Sequence, residues 1–268
     1  MTSGELNEKI EKLAVLITGA KRIVVFTGAG VSTESGIPDF RSPGGIWSRF
    51  DPEEFTIYRF LASAETRRKQ WRILIESGLI ANAPPNPAHL AVAELEKLGK
   101  LDCVITQNID NLHQKAGNSP DRVFELHGTM SFAKCLACSQ RYPMADLLGR
   151  LAEDDESPLC PECDGILKPD VVFFGESLPP AALQQSIDHS RKCNLLIVIG
   201  SSLVVYPAAY MPVYAKEAGA AVAIINLTVT DFDHEADVVI HGKAGEIMPL
   251  ILQAVGRNLG AAGATTDR

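Results

Sequence analysis

Residues 22–41 read RIVVFTGAGVSTESGIPDFR. The opening RIVVF does not alternate polar with apolar residues, which predicts a strand buried on both faces, as inside a parallel sheet. It runs directly into a turn built on Gly28, Ala29 and Gly30. Such a turn lets the backbone approach a dinucleotide phosphate, and the N-terminus of the following short helix favours its negative charge. The dehydrogenase fingerprint is nevertheless incomplete: the third glycine is replaced by Thr33, and no strand ending in Asp or Glu follows about 20 residues later. The stretch predicts a nucleotide-binding α/β fold that puts its nucleotide to another use.

Working outward, similar apolar runs recur at 103–106 (CVIT), 195–200 (LLIVIG), 221–226 (AVAIIN) and 237–240 (DVVI). Helical patterns separate them. NPAHLAVAELEKLGK has Asn86 as cap, Pro87 at the first helical position, Leu90, Leu95 and Leu98 as apolar positions and Gly99 as stop. YPAAYMPVYAKEAG ends at Gly219, with Pro212 kinking or shortening the helix. Strand and helix in alternation imply an α/β fold, a doubly wound Rossmann-like parallel sheet. We assign residues 1–41, 84–130 and 168–256 to this discontinuous domain, 42–83 to an aromatic-rich helical insertion, 131–167 to a cysteine-bearing module and 257–268 to a flexible tail.

The chain has 268 residues, 46% of them hydrophobic, and a formal net charge of −8. That charge argues against binding nucleic-acid phosphates and is compatible with a basic peptide partner. No apolar run reaches the 18 residues of a membrane span, and MTSGELNEKIEKL is amphipathic and charged rather than a signal peptide. The expected location is the cytoplasm, with no built-in targeting.

Cys135 and Cys138 form one C-x-x-C pair and Cys160 and Cys163 another, 21 residues apart. This is the two-knuckle spacing of a zinc ribbon, in which four thiolates close a tetrahedral Zn²⁺ site and leave no open position. The expected metal is therefore one structural Zn²⁺. Cys103 and Cys193 sit in apolar surroundings and read as small buried hydrophobes.

Three polar loops, TGAGVST, TQNIDNLHQKAG and GSSLVVYP, follow predicted strands and would share one edge of the sheet. Together with ELHG, the paired C-x-x-C motifs, KPDVVFFGE and IINL, in this order from about residue 10 to 251, they resemble the sirtuins, NAD-dependent protein lysine deacylases. The resemblance implies an enzyme that consumes NAD. It transfers the acetyl group of acetyl-lysine to ADP-ribose, releasing nicotinamide and 2′-O-acetyl-ADP-ribose.

The resemblance also assigns roles. His127 is the general base on a ribose hydroxyl, Asp110 with Ile109 holds the nicotinamide carboxamide, and Gln107 and Asn108 contact the ribose side; His127, Asn108 and Asp110 are the catalytic set. Gly28, Ala29, Gly30, Thr33, Asp39, Phe40 and Arg41 hold NAD, with Phe40 shielding the reacting sugar. Gly200, Ser201, Ser202, Asn226, Leu227 and Ala244 take the adenosine side. Val172, Phe173, Phe174, Gly175, Glu176, Val204 and Val205 hold the acyl-lysine peptide. Acyl-sirtuins selective for acidic groups resemble one another in a Tyr-x-x-Arg pair; here Ala64 stands in the tyrosine position before Arg67, which favours acetyl-lysine over succinyl-lysine.

Spacing alone does not choose among the six histidines, and His113, three residues after Asp110, is a rival base from the residues alone. His89, His189, His234 and His241 read as structural. An NAD-binding interaction module and an ADP-ribosyltransferase are the competing functions; the apolar groove around VVFFGE and VVYPAA favours the deacylase.

Overall fold

The computed structural model describes residues 2–76, 83–153 and 157–266. The parts of the expected insertion, module and tail at 77–82, 154–156 and 267–268 lie outside the described residues. In chain order the strands are β1 (Ile23–Thr27), β2 (Leu101–Thr106), β3 (Val123–Glu125), β4 (Gly128–Cys135), β5 (Arg141–Pro143), β6 (Leu167–Val171), β7 (Leu195–Ile199), β8 (Ala221–Asn226) and β9 (Val238–His241). The α-helices are α1 (Ser3–Gly19), α2 (Ile57–Ala62), α3 (Ala64–Glu76), α4 (Pro87–Lys97), α5 (Leu112–Ala116), α6 (Met144–Glu153), α7 (Pro180–Lys192), α8 (Met211–Glu217) and α9 (Ala244–Thr266).

Six strands form a wholly parallel sheet in the order β3-β2-β1-β7-β8-β9. The winding reverses between β1 and β7, so a crevice opens at their C-terminal ends. Alternate residues feed two cores. Ile23 and Val25 of β1 join Ile197 and Ile199 of β7 under α1, α4 and α9, while Val24 and Phe26 join Leu196 and Val198 under α7 and α8. The unbroken apolar runs are thus read out as a sheet buried on both faces.

Three local readings change. The short strand β3 was not expected from any apolar run, because only three residues pair. In α4 the buried face is Ala88, Ala91, Val92 and Leu95, whereas Leu90 is 52% and Leu98 40% exposed. The buried set has the i, i+3, i+4, i+7 spacing of one helix face, which the Leu90, Leu95, Leu98 set lacks. Finally, α9 continues to Thr266 through a stretch read as a frayed tail; Ala261 extends it with the strongest helix former, and no proline intervenes. Pro212 falls at the first turn of α8, where it is tolerated, and Gly219 follows at φ 87°.

The two segments that interrupt the winding share one core. Ile46, Phe55, Phe60, Trp71 and Leu74 of the first pack with Cys135, Met144, Leu147, Cys160 and Leu167 of the second, together with Ile37, Leu112 and Phe173. An antiparallel sheet in the order β5-β4-β6 carries the cysteines. A small lobe thereby stands over the C-terminal edge of the parallel sheet.

Candidate active site

A cleft of about 890 Å³ opens where the sheet's winding reverses. All the residues assigned above to NAD, from Gly28 to Ala244, line it, as do Val172, Phe173, Phe174, Gly175, Glu176 and Val205. Val204 does not; it is 47% exposed on the surface. Ser32, Ile37, Trp47, Phe55, Leu74 and Tyr206 also line the cleft and were not singled out from the sequence.

The glycine turn has a tighter reason than phosphate access. The Gly30 N–H donates to the Gly200 carbonyl at 2.8 Å. A Cβ on Gly28 would lie 2.9 Å from that carbonyl oxygen, one on Gly30 2.8 Å, and one on Gly200, at φ 62°, 2.1 Å from the Val31 nitrogen. The loops leaving β1 and β7 touch backbone to backbone, and only glycine permits it. Asp39 closes its own loop, accepting from the Arg41 and Ser42 N–H groups at 3.0 and 2.8 Å and from the Ser42 hydroxyl at 2.6 Å. Phe40 stacks near Trp47, ring centroids 5.1 Å apart.

Beneath this wall the TQNID segment is held by hydroxyls. Ser32 Oγ donates to Asp110 Oδ2 at 2.7 Å and accepts from Asn108 Nδ2 at 3.1 Å; Asn108 Nδ2 also reaches the Gly28 carbonyl at 3.2 Å. Asp110 Oδ1 accepts from the Leu112 N–H at 3.0 Å, a turn made possible by Asn111 in the left-handed region at φ 62°. Each carboxylate oxygen keeps a further lone pair. The chain signal for Ser32 was its place in the glycine turn, one helical step from Gly28.

His127 is the imidazole that lines the cleft. Its Nδ1 lies 2.9 Å from the Gln107 carbonyl; a carbonyl only accepts, so Nδ1 carries the proton and Nε2 presents a lone pair. Burial holds its pKa below the ordinary histidine value. The Gln107 side chain donates to Ser201 Oγ at 2.8 Å, tying this loop to the one after β7. The rival His113 is 1% exposed, its Nε2 3.0 Å from Thr27 Oγ1, its ring 5.0 Å from that of His89. Burial pushes His113 down to about 3 and His89 down to about 4. Both are neutral core histidines outside the cleft.

The opposite wall is the turn after β6. The Val172 N–H donates to the His127 carbonyl at 2.8 Å, and Phe174 exchanges backbone bonds with Phe55 and Ile57, each 3.0 Å. Phe173 is buried, 4% exposed, and Glu176, at the cleft, pairs with Lys168 at 3.0 Å. Gly175, at φ 88°, lies against Tyr58.

In the lobe, the four expected sulfurs lie within 4.8 Å of one another. The Cys135–Cys163 and Cys138–Cys160 Sγ separations are 3.6 and 3.7 Å. A tetrahedron of Zn–S bonds near 2.3 Å has edges of about 3.8 Å, so the set fits Zn²⁺. The Ala137 and Cys138 N–H groups point at Cys135 Sγ, 3.4 Å each, which suits a thiolate.

The sequence profile of the Sir2 family matches residues 28–207. An NAD-dependent protein deacetylase of Caldivirga maquilingensis is 46% identical over 260 residues, 95% of this chain and 97% of its own. Among solved structures, one described as the structural basis for the mechanism and regulation of Sir2 enzymes superposes with a TM-score of 0.86 at 45% identity, covering 94% of this chain and 99% of that one. A Sir2 complex with p53 peptide and NAD⁺ gives 0.84 at 38% identity, covering 92% and 98%.

Proposed function

The chain belongs to the Sir2 family, the sirtuins, and from that premise we propose the residues with which it performs NAD-dependent protein deacetylation. The enzyme moves the acetyl group of acetyl-lysine to ADP-ribose and releases nicotinamide and 2′-O-acetyl-ADP-ribose. NAD is the co-substrate and one Zn²⁺ is structural, held by Cys135, Cys138, Cys160 and Cys163.

The observation that carries the assignment is the His127 tautomer. With Nδ1 donating to the Gln107 carbonyl, Nε2 takes the proton of a ribose hydroxyl and frees that oxygen to capture the acyl group. Its lowered pKa keeps it neutral at working pH. Asp110, preset by Ser32 and Leu112, accepts from the nicotinamide NH₂ group; Asn108, Gln107 and Ile109 fix the ribose against it. Phe40 and Arg41 cover the nucleotide, and Phe40 with Trp47 excludes water that would hydrolyse it. Gly200, Ser201, Ser202, Asn226, Leu227 and Ala244 take the adenosine side. Gly175 has no internal partner for its N–H or C=O among the described residues, and neither has Val204. These two pair with the extended peptide backbone, which gives affinity with limited sequence selectivity.

Acetyl-lysine is the preferred substrate, supported by Ala64 and by the apolar lining from Phe40, Trp47, Phe55 and Phe173. Residues 1–41, 84–130 and 168–256 form the NAD domain and the rest the insertion, zinc module and tail. A thiolate zinc site suits a reducing compartment, the cytoplasm. No helix among the described residues is long and apolar enough to cross a membrane; the net charge of −8 disfavours nucleic acid as a partner.

The test is nicotinamide release from NAD with and without an acetyl-lysine peptide, for the native chain and His127→Ala. Peptide-dependent release, matched by deacetylation and lost in the variant, is expected. Release that ignores the peptide would make the chain a transferase, and none under any acyl peptide a binding module.

A further inference from the structure

Among groups outside the NAD wall, Lys168 is the most unusual: a lysine 5% exposed, at the second position of β6. Burying an ammonium is unfavourable unless every donor is met. Here Nζ donates to the Val171 carbonyl at 2.5 Å and the Pro169 carbonyl at 3.1 Å, pairs with Glu176 Oε2 at 3.0 Å, and lies 4.3 Å from the centroid of the Phe173 ring. Glu176 Oε2 in turn accepts from the Phe173 N–H at 2.7 Å. Burial lowers the lysine's pKa and the Glu176 carboxylate opposes that shift. We propose that Lys168 is a positioning residue for the acyl-lysine peptide, its buried ammonium clamping the turn 171–176 so that Gly175 and the Val172 carbonyl stay open to the substrate. This rests on the deacylase reading above.

The hydrogen-bond pattern of the turn shows why the clamp would act on the peptide and not on NAD. The Val171 carbonyl is taken by Lys168, the Val172 N–H by His127, the Phe173 N–H by the Glu176 carboxylate, the Phe173 carbonyl by the Glu176 N–H, and both Phe174 groups by Phe55 and Ile57. Among the described residues, the Gly175 N–H and carbonyl and the Val172 and Glu176 carbonyls are left without a partner. Without the ammonium, the Val171 carbonyl and the Glu176 carboxylate lose their shared partner, the carboxylate no longer needs to hold the Phe173 N–H, and the turn gains alternative ways to pair. The NAD wall is built on Gly28, Gly30 and Gly200, which Lys168 does not touch.

The experiment is steady-state kinetics on the full chain, varying acetyl-lysine peptide and NAD separately, for wild type, Lys168→Met, Glu176→Gln and the double variant. Lys168→Met keeps the apolar stem and removes the charge. We expect its peptide KM to rise roughly tenfold, with NAD KM and kcat within about twofold. Glu176→Gln, which still accepts the Phe173 N–H, should raise peptide KM by a smaller factor, and the double variant should be no worse than Lys168→Met, as for groups acting as one unit. Unchanged peptide KM in both single variants, or peptide and NAD KM rising in parallel, overturns the proposal while leaving the deacylase reading intact. Wild-type release that ignores the peptide overturns that reading and the proposal together. If Lys168→Met does not fold, Glu176→Gln decides by the same split.

Discussion

The parallel sheet and the small lobe answer the same problem, holding a cleft wall in place, by different physics. In the sheet, loops after β1 and β7 are fixed by backbone contact through Gly28, Gly30 and Gly200, above cores filled on both faces by interleaved apolar residues. In the lobe, a three-stranded sheet and one shared apolar cluster depend on four sulfurs and on a buried ion pair. Burial grows with size, so the larger unit can rely on packing whereas the smaller needs bonds of another kind. The comparison teaches that the nucleotide wall should be intolerant of added volume, and the peptide wall of lost charge or metal.

The largest effect separates the two regions outright. A structural zinc contributes on the order of 10–16 kcal/mol of apparent binding free energy, so a chelator should remove amide protection from β4 and β6 and abolish turnover, while β1, β7 and β8 stay protected in hydrogen exchange. Equal loss in both regions would show one cooperative unit and break the contrast. Next is Gly200→Ala, which meets Val31 at 2.1 Å and forces a side chain onto φ 62°. It should cost roughly 3 kcal/mol or more in urea unfolding and weaken NAD binding; near-native NAD affinity would mean the loops can part.

Acid sharpens the picture of the sheet's core. His89 and His113 have folded pKa values near 4 and 3, below the unfolded value of 6.5. Their neutral burial contributes stability that is fully present above about pH 6.5 and is lost as the pH falls toward 4. Glu125, pushed up to about 7 by burial, acts with the opposite sign as pH rises from 4.5. The His113→Gln variant should therefore show a shallower loss of Tm between pH 6.5 and 4 than the parent, and an equally steep loss would place the proton elsewhere. The smallest effect is at the lobe's surface: Arg141→Ala removes an exposed pair with Asp170 at 2.7 Å and a stack on Phe132. Thermal melting should register less than about 1 kcal/mol.

Much of the sheet was legible because parallel strands are apolar on both sides, and RIVVF and LLIVIG have no other good reading. The zinc site was legible because four soft ligands at fixed spacing have few alternatives. What stayed hidden depends on contacts between distant segments. Ser32 looks like any turn serine until Asp110 and Asn108 meet it; Leu74 and Trp47 look like insertion core until they reach the cleft; and the ion pair between Lys168, in β6, and Glu176, in the turn after it, is invisible in the sequence. Spacing also could not tell His127 from His113, whereas burial does.

The hydrogen bond between His127 Nδ1 and the Gln107 carbonyl has a consequence for turnover. Many catalytic imidazoles work as relays, receiving a proton on one nitrogen and discharging it from the other. Here the second nitrogen faces a group that can never take a proton, and the Gln107 peptide is anchored at its N–H to Thr27 and at its side chain to Ser201. The ring is a dead end rather than a wire. If His127 is the base proposed above, whatever proton Nε2 collects must leave by the way it came, through the cleft mouth or onto the departing product, and resetting it is tied to opening the site rather than to any path through the protein.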